Sequence, residues 1–188
     1  FNVEMAYLFF LRNDLTSMIN AYLDEAPFQE NNLTAIENGL QKGLTDEKAK
    51  DALEKELLKR TQANKTQFVY QDLLVWLYMQ RNDFDAAVLQ AKSLDMLRNE
   101  DGDNVMRIAK TAAEQKDFDA AIKAYQYVVN KGEKFPYFLN ANLALINVQR
   151  DRLVNSPNYN KQQLLTLKET YQNFIRTYSN DYTSINAA

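Results

Sequence analysis

One short pattern returns along this chain: Asn82-Asp83-Phe84-Asp85-Ala86-Ala87 reappears as Lys116-Asp117-Phe118-Asp119-Ala120-Ala121, with Phe84 and Phe118 34 positions apart. A fixed period of this size restricts a chain to architectures in which one supersecondary unit stacks on the next, because such a unit cannot bury its apolar face alone. A weaker copy, Arg12-Asn13-Asp14-Leu15, precedes Arg81-Asn82-Asp83-Phe84 by 69 positions, two periods plus one residue. After each copy the apolar residues keep the same offsets. Met18, Ile19 and Tyr22 follow Leu15; Ala87, Val88 and Ala91 follow Phe84; Ala121, Ile122 and Tyr125 follow Phe118. Spacing of i, i+3, i+4 and i+7 is one face of an α-helix. Asp14, Asp83 and Asp117 stand just ahead of these helices, where a carboxylate accepts an N-terminal amide hydrogen bond and complements the helix dipole.

A second apolar pattern sits upstream of each copy, in phase: Met5-Ala6 with Phe9, Leu74-Val75 with Tyr78, Ile108-Ala109 with Ala112. Each repeat is therefore expected to be two helices joined by a short turn. Residues 34–67 read as a degraded unit that keeps Leu40, Leu44, Leu53 and Leu57 one period before Leu74, Tyr78, Ala87 and Ala91. Gly43 and Thr45-Asp46 shorten its first helix and start the second near Asp46. The last unit is stretched: a helix over Pro136 to Leu153 with Pro136 in its first turn, a loop at Asn155-Ser156-Pro157-Asn158, and a final helix burying Leu164, Leu167, Tyr171, Phe174, Ile175 and Tyr178. Gly102 and Gly132 stand where helices should end at positive φ. The expected units are 1–33, 34–67, 68–101, 102–135 and 136–180, with a tail at 181–188, all in one repeat domain.

Composition narrows the chemistry. With 0 Cys and 0 His the chain offers no disulfide, thiol nucleophile, Ser-His relay or imidazole ligand. An enzyme would have to rest on carboxylates, Lys, Tyr or Arg, so the expectation is no catalytic residues, no metal and no cofactor. Only 4 Gly and 3 Pro leave few of the turns that β-rich folds need. A net charge of −3 gives no footprint for nucleic acid. No apolar run approaches the ~20 residues of a membrane span, and Ala6 to Leu11 lacks the flanks of a signal peptide. The chain starts at Phe1 rather than Met and reads as a processed or truncated piece of a longer, soluble bacterial protein, cytoplasmic or exported.

The 34-residue helix pair, with its apolar-then-small first helix and capped Asp-aromatic-Asp-x-Ala second helix, resembles the tetratricopeptide repeat. The small residue of the first helix is met by Ala6 and Ala109 but is Val75 between them. The Ala of the second helix is met by Ala87 and Ala121 and is Met18 or Leu53 elsewhere. Glycine stands after both Leu97 and Lys131 where the family has proline. The resemblance implies an all-α, right-handed solenoid of about five stacked antiparallel helix pairs whose first helices line a concave face that binds a peptide or partner protein. Projecting the family's groove positions gives Tyr7 and Phe10, then Asp72, Trp76, Met79 and Gln80, then Met106, Lys110 and Glu114. Trp76 reads either as an anchor for a partner or as a residue packed between first helices. Met79 and Met106 carry the same two readings, and Lys110 and Glu114 read also as solvated. Asp72 and Trp76 stand where carboxylate-clamping members of the family carry Lys and Asn, and only Arg107 fits that clamp.

Other signals fit turns and surfaces. Asn99 to Asn104 looks like a calcium loop, but its frame puts Leu97 and Ile108 at positions that need oxygen ligands. Asn32-Leu33-Thr34 and Asn64-Lys65-Thr66 match the glycosylation sequon, a short pattern that arises by chance. Residues 82–121 hold nine acidic and five basic side chains, and residues 135–176 hold two acidic and five basic, a polarity able to steer a charged partner. The leading expectation is a non-enzymatic scaffold. Its rivals are a spacer or dimerisation element of a longer repeat protein, with the apolar end at Phe1, Leu8, Phe9 and Phe10 packing on an upstream repeat or a second copy, and a carboxylate- or Lys-based enzyme.

Overall fold

The same local chemistry recurs at three turns. In a computed structural model describing residues 2–157 and 160–185, with side chains described to residue 179, the backbone reverses between helices through a left-handed residue at Asn13 (φ 56°), Asn82 (φ 54°) and Lys116 (φ 65°). At each turn the amide of the next residue, Asp14, Asp83 or Asp117, donates back to a carbonyl five residues earlier, Phe9, Tyr78 or Ala112. That is the Schellman closure of a helix C-terminus. The same aspartate then caps the following helix, its side chain accepting from the amide of Ser17, Ala86 or Ala120 at 3.0, 3.1 and 3.1 Å. Asp46 does likewise for Ala49 at 2.8 Å. One residue thus ends one helix and begins the next.

Ten α-helices are formed among the described residues, and no strand: α1 (Asn2–Leu11), α2 (Leu15–Glu25), α3 (Thr34–Gly43), α4 (Glu47–Ala63), α5 (Val69–Gln80), α6 (Phe84–Arg98), α7 (Asp103–Glu114), α8 (Phe118–Lys131), α9 (Phe138–Asn155) and α10 (Lys161–Ile185), with a 3-10 turn at Ala26–Phe28. The fold is all-α. None of these helices is long and apolar enough to cross a membrane.

Contacts divide the chain into two compact units, Phe1–Gln90 and Ala91–Ala188, the boundary falling inside α6. In the first, α1 packs on α2 and α3, α2 on α3 and α4, and α4 on α5. Its core holds the residues expected from the periodicity: Ala6, Met18, Ile19 and Tyr22 with Leu40, Leu44, Leu53, Leu57 and Leu74 are all buried. Arg60 of α4 fastens α2, pairing with Asp24 at 2.6 Å and donating to Asn20 at 3.1 Å. Arg81, at the end of α5, clamps α4 through Glu54 at 2.5 Å and Asp51 at 2.6 Å, with Glu47 at 3.6 Å. These three acids sit at i, i+4 and i+7, one face of α4. In the second unit α7 packs on α8, α8 on α9 and α9 on α10 around Val105, Ile108, Ala109, Ala112, Ala121, Tyr125 and Val128. Ile122 is half-buried.

Several expectations are corrected. Gly102 (φ 92°) does not end α6; Asn99 (φ 53°) takes that left-handed position, and Gly102 instead leads into α7 as its N-cap. Gly132 (φ 103°) does close α8. The helix expected from Pro136 starts at Phe138, because Pro136 lies in the turn whose Phe135 carbonyl accepts from Phe138. The backbone of α10 stays helical to Ile185, into the segment expected as tail, with a kink at Tyr178. Of its six apolar anchors only Phe174 is buried; Leu164, Leu167, Tyr171, Ile175 and Tyr178 are half-buried where α10 packs on α9. Phe1, Asn158 and residues 186–188 lie outside the described residues.

Candidate surface on the first helices

Position 7 of the chain and its repeat equivalents supply the geometry of this surface. Tyr7, Lys42, Trp76 and Lys110 occupy one position in successive units, Lys42, Trp76 and Lys110 being 34 residues apart and Tyr7 69 before Trp76. Two of these equivalent side chains meet: the Lys42 ammonium lies over the Tyr7 ring, 5.6 Å from its centroid. A cation over an exposed aromatic face contributes about 0.5–1 kcal/mol. Tyr7 also stacks on Phe10, with ring centroids 6.2 Å apart, which is the i, i+3 neighbour relation on a helix. Tyr7 keeps 46% of its surface exposed.

Between α1 and α3 opens a cleft of about 490 Å³, lined by Val3, Glu4, Tyr7 and Leu8 on one side and Asn38, Gly39 and Lys42 on the other. Tyr22 of α2 reaches its floor because Gly39 has no side chain there. Burial of this ring raises the Tyr22 hydroxyl above its ordinary pKa. A smaller hollow of about 210 Å³ continues past Phe10 and Lys42 to Thr45 and Asp46.

On α5, Asp72, Trp76 and Met79 are half-buried and Gln80 is exposed. Trp76 packs against the core of the first unit and still presents part of its ring. Gln80 accepts a hydrogen bond from the Gln41 side chain of α3 at 3.1 Å. The first helices α1, α3 and α5 are thus linked in order by side chains on one side of that unit. In the second unit, Met106 is half-buried and Lys110 and Glu114 are exposed, forming an i, i+4, i+8 stripe on α7. Arg107, the one clamp position that matched, donates to Asn104 at 2.8 Å.

Gly39, Gln41 and Lys42 belong to this surface and were not among the expected residues. The period itself marks Lys42, one repeat before Trp76; the degraded pattern of its unit hides that. Among the described residues no group of three or more Asp or Glu side chains is placed to hold a metal ion. The chain matches no protein-family model, no curated protein and no solved structure.

Proposed function

We propose that this chain is a non-enzymatic scaffold that binds a peptide or partner protein along its first helices, in a solenoid of stacked pairs like the tetratricopeptide repeat. The contact between Tyr7 and Lys42 carries the reading. Equivalent positions of two units lie next to each other there, and Gln41 reaches Gln80, so α1, α3 and α5 present one strip within the first compact unit. The strip offers Tyr, Trp and Met surface beside polar groups, the mixture typical of partner-binding patches. Glu54 of α4 is paired with Arg81 and Asp95 with Lys131, which suits support of a fold.

The test is affinity capture with mass spectrometry, comparing the chain with a Trp76→Ala, Lys110→Ala variant and a Tyr7→Ala variant. A partner retained by the parent and lost from the variants supports the reading. Unchanged capture by all three overturns it.

A further inference from the structure

The floor of the cleft between α1 and α3 carries a polar group with nothing to bond. Tyr22 is 4% exposed, and the end of its ring, hydroxyl included, stands where Gly39 would place a β-carbon, so the hydroxyl reaches the cleft past α3. It makes no hydrogen bond among the described residues. Burial raises its pKa, which keeps the proton in place and the hydroxyl a donor. A donor held away from water without a partner costs free energy, and an acceptor that enters the cleft recovers it.

Two charges line the same cleft, Glu4 on the α1 wall and Lys42 on the α3 wall. Both are exposed, and neither joins an ion pair among the described residues. Lys42 stands over Tyr7, and Glu4 lies one helical turn before Tyr7, about 5 Å along α1. On α3, Gly39 and with it the Tyr22 hydroxyl lie one turn before Lys42. Val3, Leu8 and Ala35 make the rest of the lining largely apolar. The walls are two helices of the first compact unit and the floor is a third, α2, so elements inside this unit build the cleft.

We infer that this cleft binds a free α-amino acid with an apolar side chain, its carboxylate on Lys42 and its ammonium on Glu4. One unpaired cation and one unpaired anion, set about a turn apart across a hollow, are matched by a ligand that carries both opposite charges on one carbon. The Tyr22 hydroxyl donates to the ligand carboxylate, and the apolar lining receives the side chain. A volume of about 490 Å³ is in the range of small-molecule sites. The end of a peptide supplies only one of the two charges, because its last residue has an amide in place of the ammonium and its first an amide in place of the carboxylate. The site does not rest on the partner-protein reading, although Tyr7 and Lys42 belong to both surfaces.

The probes are L-phenylalanine, N-acetyl-L-phenylalanine and L-phenylalaninamide, each titrated into the nitrogen-labelled chain with the amide signals of Asn38 and Gly39 as the readout. The titration needs no protein partner, so it succeeds or fails separately from affinity capture. Phenylalanine is expected to shift both signals and to bind about fivefold or more tightly than either capped form. Glu4→Gln should erase the preference over N-acetylphenylalanine and keep the preference over phenylalaninamide. Lys42→Met should do the reverse. Tyr22→Phe should weaken the two carboxylates and leave phenylalaninamide unchanged. Circular dichroism of the three variants should match the parent, since Glu4 and Lys42 are exposed and the third change removes only a hydroxyl. No shift at Asn38 and Gly39 overturns the inference. A capped form that binds the parent as tightly as phenylalanine assigns the cleft to a peptide end and overturns it, as do preferences that none of the three variants alters.

Discussion

The ring of Tyr22 fills the place where a β-carbon on Gly39 would stand. Tyr22 is buried on α2 and rigid, so Gly39→Ala forces α3 away from α2. Overpacking of this kind costs about 1–3 kcal/mol, more than the ~1 kcal/mol of helix propensity that alanine supplies. At Gly43 the obstructing atoms are the terminal methyl and sulfur of Met18, which can rotate aside. Urea denaturation should therefore show Gly39→Ala destabilised and Gly43→Ala within ~1 kcal/mol of the parent. Equal losses at both sites would contradict the close α2–α3 approach.

Lys116 holds the left-handed turn position that Asn13 and Asn82 hold in the other copies. A side chain with a β-carbon is strained there, and Asn or Gly less so. Lys116→Asn and Lys116→Gly should each raise stability by about 0.5–1 kcal/mol. A rise in the thermal midpoint checks this; a fall would mean that Lys116 is not left-handed in solution.

Asp95 is only 1% exposed and accepts from the Tyr127 hydroxyl at 2.6 Å and from the Lys131 ammonium through the same oxygen, Oδ2. Its other carboxylate oxygen has no hydrogen-bond partner. Removing one member of a buried ion pair strands the other, at a cost of about 3 kcal/mol. Asp95→Ala should lose that amount in urea titration, and Asp95→Leu with Lys131→Met should recover most of it. A double variant as unstable as the single one would count against the ion pair as the cause.

Tyr78 gives the chain an alkaline limit. Burial, reinforced by donation of its hydroxyl to Glu54 at 2.9 Å, pushes its pKa up to about 12. The unfolded chain releases this proton near pH 10, the folded chain near pH 12, so deprotonation favours unfolding across that window. The contribution is intact below about pH 10 and lost as the pH rises toward 12. Tyr78→Phe should flatten the stability profile over this interval while leaving its slope at neutral pH unchanged. A profile as steep as the parent's would assign the alkaline loss to other tyrosines.

Arg81→Ala and Arg12→Ala should differ sharply despite their equivalent positions. The first opens a clamp of three carboxylates on α4 and is expected to cost about 1–2 kcal/mol. The second removes an unpaired exposed side chain and should stay within about 0.5 kcal/mol. Equal effects in chemical denaturation would mean that Arg12 has a partner of its own.

The helices and several of the turns between them were legible because their signals are local. Capping aspartates, i, i+3, i+4 apolar spacing and the 34-residue register all act within a turn or two of chain, and Leu40, Leu53 and Leu57 kept their buried places even in the degraded unit. The misreadings fall where a local rule had two ways to be satisfied. Glycine is the usual left-handed residue, but asparagine tolerates the same φ, so Asn99 ends α6 and Gly102 is freed to begin α7. Proline fits a first helical turn or the turn before it, and Pro136 takes the second.

By itself the sequence determined an all-helical chain, the places where its helices turn, and the faces each helix must bury. Those follow from backbone sterics and periodicity, which need no knowledge of neighbours. Only the tertiary structure decided what a side chain at a given repeat position meets. It laid Lys42 over Tyr7, closed Tyr22 onto Gly39, and gave Arg81 three carboxylates while leaving Arg12 none. Equivalent residues in a repeat share their backbone geometry, but their partners are set by whichever helix packs beside them, and that is a contact between residues far apart in the chain.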